Sequence, residues 1–248
     1  MDLLLTDVSA PANERWVSAD LTDFAQVYRA LEGVDAVIHL GAATTRTPRD
    51  GAESDQVDAS ERAMLMVNTE STYNILEAAR RHGVRRVVYV SSLTVVLGDK
   101  HRAYYGGETP IRPTGVYACS KLFGEQLAEM YWRRHGLSTI CLRLGQPFPI
   151  DHGELDESWK INKRARSVFV EIGDVARAVE AAVTTPVEFG VYPVVSASDN
   201  QRVDLEAMAT IGYVPRAYLS DSGLEFYENG SFPKAADSVV THNPWEVS

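Results

Sequence analysis

Val87-Val88-Tyr89-Val90-Ser91-Ser92 is a run of apolar, β-favouring residues that stops on two serines. A run without polar alternation reads as a strand buried on both faces, as in a parallel sheet. Ala36-Val37-Ile38-His39-Leu40, bounded by Gly41, has the same character. Between them lies a helical pattern over about 61–82, with Met64, Val67, Ile75, Leu76 and Ala79 for its inner face and Gly83 as its stop. Strand, helix, strand in this order predicts a βαβ unit. The fold class expected is α/β, a Rossmann-like doubly wound parallel sheet.

Working outward, Leu3-Leu4-Leu5 is a first short strand ending at Thr6-Asp7, and a second run lies around Trp16-Val17 and closes with Asp20-Leu21. Residues 23–31 read as a helix with Thr22 as its N-cap. Residues 46–60 are polar and contain Pro48 and Gly51, which predicts a loop. A helix over 117–135 stopped by Gly136, a strand over 139–144 and a helix over 174–184 follow. From about residue 147 the alternation loosens. The expected organisation is therefore 1–146 as one doubly wound domain and 147–248 as a small cap with return elements to it. The stretch 228–248 is polar and weakly patterned, so poor order is expected there.

Length and charge narrow the function. The 248 residues suit one α/β domain, with 45% hydrophobic and 23% charged residues. Asp and Glu outnumber Lys and Arg 34 to 24, a net charge of −10, which argues against a nucleic-acid partner. No apolar stretch approaches the ~20 residues of a membrane span, and Met1-Asp2-Leu3-Leu4-Leu5 is too short and too acidic for a signal peptide. Cys119 and Cys141 make neither a disulfide framework nor a zinc cluster. Two reduced thiols in a cytoplasmic protein without a metal is the expectation.

Tyr117-x-x-x-Lys121 places a phenol and an amine one turn apart on one helix face. Ser92 precedes Tyr117 by 25 residues, at the end of a buried strand, where doubly wound sheets carry their functional loops. A tyrosine exchanges a proton near neutral pH only if its phenol, ordinarily near ~10, is made more acidic, and a neighbouring ammonium favours that. A surface Tyr-Lys pair after a serine turn is the plainer alternative.

Strand-Ser-Ser, Tyr-x-x-x-Lys and then Cys141-Leu142-Arg143-Leu144-Gly145 resemble the extended short-chain dehydrogenase/reductase superfamily, the NAD-dependent epimerase/dehydratase group. Val37-Ile38-His39-Leu40-Gly41-Ala42-Ala43 is similar to its strand end, and Val67-Asn68-Thr69 with Tyr73-Asn74-Ile75-Leu76-Glu77-Ala78-Ala79 to its fourth helix. Ile211-Gly212-Tyr213-Val214-Pro215 is similar to a motif near its C-terminus. The resemblance implies Ser92, Tyr117 and Lys121 as the catalytic residues. Ser92 would hold the substrate oxygen, Tyr117 would exchange its proton, and Lys121 would also bind the nicotinamide ribose.

For the cofactor, the resemblance implies contacts from Asp7, Asp20, Leu21, Leu40, Gly41, Ala42, Asn68 and Pro147, besides Tyr117 and Lys121. An acid such as Asp7 at the end of a strand accepts from ribose hydroxyls and repels a 2′-phosphate, so NAD is expected over NADP. A plain turn role for Asp7 and a helix-initiating role for Asp20 are the alternatives. The glycine-rich fingerprint should lie ~20 residues before that acid, and no Gly-x-x-Gly-x-x-Gly occurs in the chain. The first strand, glycine turn and first helix of the usual sheet are absent from the sequence. Either that unit lies upstream or the chain is a degenerate member.

Among family members, Phe123-Gly124-Glu125, Met130-Tyr131 and Arg143-Leu144-Gly145 most resemble the compact uronate dehydrogenase-like branch. That likeness implies substrate contacts from Thr44, Ser92, Thr94 and Arg164, the last suited to a carboxylate. A solvated basic face of Lys160, Lys163, Arg164 and Arg166 is the alternative. Leu93-Thr94 departs from the Asn-His of that branch, and the Asp-Glu pair of the 4,6-dehydratases is missing. The expected function is hydride transfer between NAD and a secondary alcohol or hemiacetal carbon of a small sugar or sugar acid. The alternatives are a nucleotide-sugar epimerase and a catalytically silent binding or sensor protein. A small-molecule substrate and a homodimer are the expected partners, with no membrane.

Overall fold

The structure is a computed structural model that describes residues 4–7, 16–44, 54–99, 102, 104–106, 109–148, 166–220, 223–227 and 232. The poor order expected for 228–248 lies outside these, apart from Phe232. The chain divides into two compact units, each discontinuous in sequence: Met1–Ser91 with Thr114–Cys141 and Glu188–Gly190, and Ser92–Pro113 with Leu142–Val187 and Val191–Ser248.

The first unit begins with β1 (Leu5–Asp7) and β2 (Trp16–Ser18), a parallel pair in which Leu5 faces Trp16 and Asp7 faces Ser18. Helix α1 (Phe24–Ala30) follows. Its N-cap is Asp23 and not Thr22: Asp23 Oδ1 accepts from the amides of Ala25 and Gln26, while the Thr22 hydroxyl donates to Asp20. The Asp23 carboxylate adjoins the first helical residue and takes the orphan amides, while the Thr22 hydroxyl is already spent on Asp20.

Strand β3 (Ala36–His39) pairs in parallel with β4 (Arg86–Ser92) from Ala36↔Arg86 to His39↔Tyr89. These belong to a four-stranded sheet in the order β3-β4-β5-β8, where β5 is Thr139–Leu144 and β8 is Phe189–Val194. Strand β4 is buried along nearly its whole length, as its apolar run predicts. In β3 burial alternates and Leu40 is 61% exposed, against the expectation of a fully buried strand. The reason is position: among the described residues β3 pairs with β4 alone and so is an edge.

Helix α2 (Ser54–His82) begins well before the expected 61, because 54–60 holds neither Pro nor Gly to stop it. It packs against α1 and against α3 (Val116–His135). Its inner face carries Met64, Asn68, Thr72, Ile75, Leu76 and Ala79. Val67, expected inside, is exposed; Asn68, about 100° further round, takes the buried place. Gly136 ends α3 at φ 69, and Gly83 follows α2 at φ 68.

In the second unit β6 (Gln146–Phe148) lies parallel to β7 (Phe169–Glu171), and β9 (Ala197–Ser198), β10 (Ala217–Ser220) and β11 (Gly223–Phe226) form a three-stranded sheet. Helix α4 (Ile172–Thr184) starts at Glu171, whose carboxylate accepts from the amides of Gly173 and Asp174. Asp174, fully buried, accepts from the Ser196 hydroxyl and from the amides of Arg216 and Ala217. Phe169, Ala217 and Leu219 form a buried cluster of this unit's own. No helix among the described residues is long and apolar enough to cross a membrane.

Candidate active site

Helix α3 turns Ala118, Ser120, Lys121, Gly124, Glu125 and Ala128 inward. Gly124 lets it approach β4 closely: a Cβ there would run into the phenol of Tyr89, a buried β4 residue. Tyr89 in turn donates to the Lys121 carbonyl at 3.4 Å. Two further bonds lock the pair. Lys121 Nζ donates to the Val90 carbonyl at 2.8 Å, and Ser91 Oγ donates to Glu125 Oε1 at 2.6 Å. Consecutive β4 residues thus hold α3 residues one helical turn apart, which fixes both depth and rotation of the helix.

Lys121 Nζ stands 5.8 Å from the centre of the Tyr117 ring and 5.3 Å from that of Tyr89. Burial lowers the Lys121 ammonium to about 8. Tyr117 is half-buried, and burial pushes its phenol upward. The expected lowering of that phenol by Lys121 is therefore not what this structure has; desolvation outweighs the ammonium at this separation. What the geometry provides is a tyrosine and a lysine side by side on a helix whose rotation is pinned.

Beyond β3, Leu40, Gly41 and Ala42 are exposed, and Ala43 is held by Asn68. Asn68 Oδ1 accepts from the Ala43 amide at 2.7 Å, and its Nδ2 donates to the Ala43 carbonyl at 3.0 Å. The same Nδ2 donates to Ser120 Oγ at 3.0 Å, and Ser120 donates to the Tyr117 carbonyl at 2.8 Å. Asn68 thereby ties the loop after β3 to the first turn of α3. A Cβ on Gly41 would meet Leu21 Cδ1 at 2.6 Å, so Leu21 and the loop are neighbours, and Asn74 donates to the Leu21 carbonyl at 2.9 Å.

The structure therefore brings together Leu21, Gly41, the loop to Ala43, Asn68, Tyr117 and Lys121. Asp20 is exposed, with Oδ1 accepting from the Thr22 amide and hydroxyl in a turn that precedes the Asp23 cap of α1. Asp7 is exposed at the end of β1, and Thr44 is exposed at the end of the described loop.

The other expected residues lie in the second unit. Ser92 Oγ accepts from the Thr94 amide at 3.2 Å and hydroxyl at 2.9 Å, capping a single 3-10 turn, Leu93–Val95. Pro147 is exposed in β6, opposite Val170. Arg164, Lys160 and Lys163 lie outside the described residues. Arg166 is not on a solvated face: it is 2% exposed, with Nη1 3.8 Å from Asp199 Oδ2. Sequence reasoning missed Thr72, Ser120 and Glu125; their signal was polarity at helix positions whose period calls for apolar residues.

The family model of the NAD dependent epimerase/dehydratase family matches residues 4–168. The uronate dehydrogenase of Pseudomonas syringae pv. tomato is 33% identical over 221 residues, 86% of this chain and 72% of that protein. An L-arabinose 1-dehydrogenase (NAD(P)(+)) of Haloferax volcanii is 32% identical, with 81% of each chain covered. A variant uronate dehydrogenase of Agrobacterium tumefaciens, solved in complex with NAD, superposes with a TM-score of 0.68 at 29% identity, over 88% of this chain and 76% of that one. With two thirds of its length matched by the family model and a Tyr117–Lys121 pair set on a pinned helix, the chain belongs to the NAD dependent epimerase/dehydratase family.

Proposed function

We propose that this chain is an NAD-dependent dehydrogenase that transfers a hydride between NAD and a secondary alcohol or hemiacetal carbon of a small sugar or sugar acid. The observation that carries the reading is the Tyr117–Lys121 pair with Asn68 linking it to the loop after β3. The exposed segment Leu40–Ala42, the missing Cβ at Gly41 and the adjacent Leu21 fit the adenosine side of a dinucleotide. Asp7, Asp20 and Pro147 would complete its contacts. When bound, NAD supplies the hydride acceptor or donor.

The protein's own part is positioning and proton transfer. Lys121, with one donor spent on Val90, has two N–H groups left to orient a ribose hydroxyl. Ser92 would hold the substrate oxygen while Tyr117 takes its proton in oxidation or returns it in reduction. Thr44 and Thr94 would meet substrate hydroxyls, and Arg164 a carboxylate. Residues 1–146 would serve the dinucleotide and 147–248 the substrate. Exposed Leu65, Met66 and Tyr73 on α2, with Phe123 and Met130 on α3, support a homodimer. A reducing, cytoplasmic setting suits Cys119 and Cys141, which are not joined in a disulfide.

The test is NAD reduction with D-glucuronate, against glucose as its neutral analogue, for the parent chain and Arg164→Ala. Oxidation of glucuronate by the parent, with Arg164→Ala losing glucuronate about 10-fold more than glucose, supports the reading. Absence of NAD binding by calorimetry, in this chain and in a form extended by an N-terminal glycine-rich unit, rejects it.

A further inference from the structure

The buried polar chain behind the loop after β3 does not end at Asn68. Thr72, one turn along α2, donates from Oγ1 to the Asn68 carbonyl at 2.7 Å, and His39 Nε2 lies 3.3 Å from the same Thr72 oxygen. All three side chains are buried, as is Ser120. With the Thr72 proton on the Asn68 carbonyl, Thr72 Oγ1 meets His39 as an acceptor, so Nε2 carries the ring proton. Burial and the ammonium of Lys121 hold the imidazole near 3, hence neutral at physiological pH. The ring also packs against Tyr89, 5.7 Å between centres.

We propose that His39 is a positioning residue, setting Asn68 through the Thr72 hydroxyl so that Ala43 and Tyr117 are held as one unit. The path runs from His39 to Thr72 and from Thr72 to the main-chain carbonyl of Asn68, whose side chain then holds the N–H and C=O of Ala43 and the hydroxyl of Ser120, which donates to the Tyr117 carbonyl. His39 lies on β3, two residues before Gly41, so it fixes the strand end from which the loop leaves, while Asn68 holds the loop at Ala43. Two anchors on opposite ends of a short exposed segment remove its freedom before any ligand arrives, which is how preorganised sites limit the entropy lost on binding. A phenylalanine at 39 would fill the space and keep the ring contact but remove the imidazole N–H from Thr72. A glutamine carries an N–H near the position of Nε2.

This inference rests on the dehydrogenase reading for its purpose, while its geometry is tested without NAD. Amide hydrogen exchange, followed by NMR on the ligand-free chain, reads the Ala43 N–H directly. In His39→Phe, exchange at Ala43 should speed up by about 10-fold, the effect of one weakened buried hydrogen bond, while Val88 in β4 keeps its protection. His39→Gln should return Ala43 to within about 3-fold of the parent. Thr72→Val breaks the same link on the other side and should repeat the His39→Phe result, which covers failure of the latter to fold. Calorimetry on the same proteins should show NAD affinity falling about 10-fold in His39→Phe and recovering in His39→Gln. Ala43 exchange unchanged in His39→Phe, or in Thr72→Val where that is the variant that folds, overturns the proposal. A parent chain that fails to bind NAD overturns the dehydrogenase reading instead, and leaves the exchange result to decide on His39.

Discussion

Lys121 Nζ donates a 2.8 Å hydrogen bond to the carbonyl of Val90, so the amine of α3 is anchored on the backbone of β4 one residue before Ser91. The next β4 side chain, Ser91, reaches back to Glu125. Position along the helix is thus dictated by the strand, and Tyr117, one turn before Lys121, inherits it.

The consequence for Tyr117 is chemical, not structural, since its side chain has no hydrogen bond that the fold requires among those described. Tyr117→Phe should lower turnover at least about 100-fold, the usual worth of a general acid or base, while NAD affinity by calorimetry changes less than about 3-fold. Turnover retained in the variant would remove the acid-base role.

Gly124 is the opposite case, structural and not chemical. Gly124→Ala would drive a methyl into the Tyr89 phenol, which is buried and backed by Lys121. A loss of about 1–3 kcal/mol is expected from overpacking, read as a lower urea midpoint with an unchanged slope. A midpoint equal to the parent's would show that α3 shifts freely on β4.

Lys121 gives a pH signature. Its amine is lowered by burial from 10.5 to about 8 in the fold. Below pH 8 both folded and unfolded chains carry the proton. Between about 8 and 10.5 only the unfolded chain does, so stability contributed by this group rises with pH through that window. Urea midpoints from pH 7.5 to 10 should therefore rise in the parent relative to Lys121→Met. Parallel pH curves would mean that the amine is not desolvated.

His39 acts at the acid end. Its folded value near 3 lies below the ordinary 6.5, with burial first and Lys121 second as causes. As pH falls from 6.5 the unfolded chain takes up a proton that the fold refuses, and stability drops by up to about 1.4 kcal/mol per unit from this group. The groups facing the ring are Lys121 and Tyr89, neither of which changes charge in that range. His39→Gln should lose stability less steeply than the parent between pH 6.5 and 4.5 in urea titrations. Equal slopes would place the imidazole in contact with water.

The sequence was most legible where one physical rule acts alone. The β4 run, the Tyr-x-x-x-Lys spacing and the glycine stops at Gly83 and Gly136 follow from burial on two faces, helix period and positive φ. Val67 and Asn68 show where the reading failed. Periodicity assigns the apolar residue to the inside, but the buried place belongs to Asn68 because its side chain makes three hydrogen bonds there, two to Ala43 and one to Ser120. Those partners come from the loop after β3 and from α3, and no local pattern announces them. The α2 start at Ser54 was hidden for a simpler reason, since a polar helical turn and a polar loop have similar composition.

Leu40, standing 61% exposed beside a β3 edge that no described strand covers, bears on how the chain must be handled. Unspent main-chain donors and acceptors next to a greasy side chain form a template on which other extended polypeptides can stack. Purified at high concentration, the protein should therefore precipitate in step with its own abundance, and a lysine placed at residue 40 should keep it dispersed.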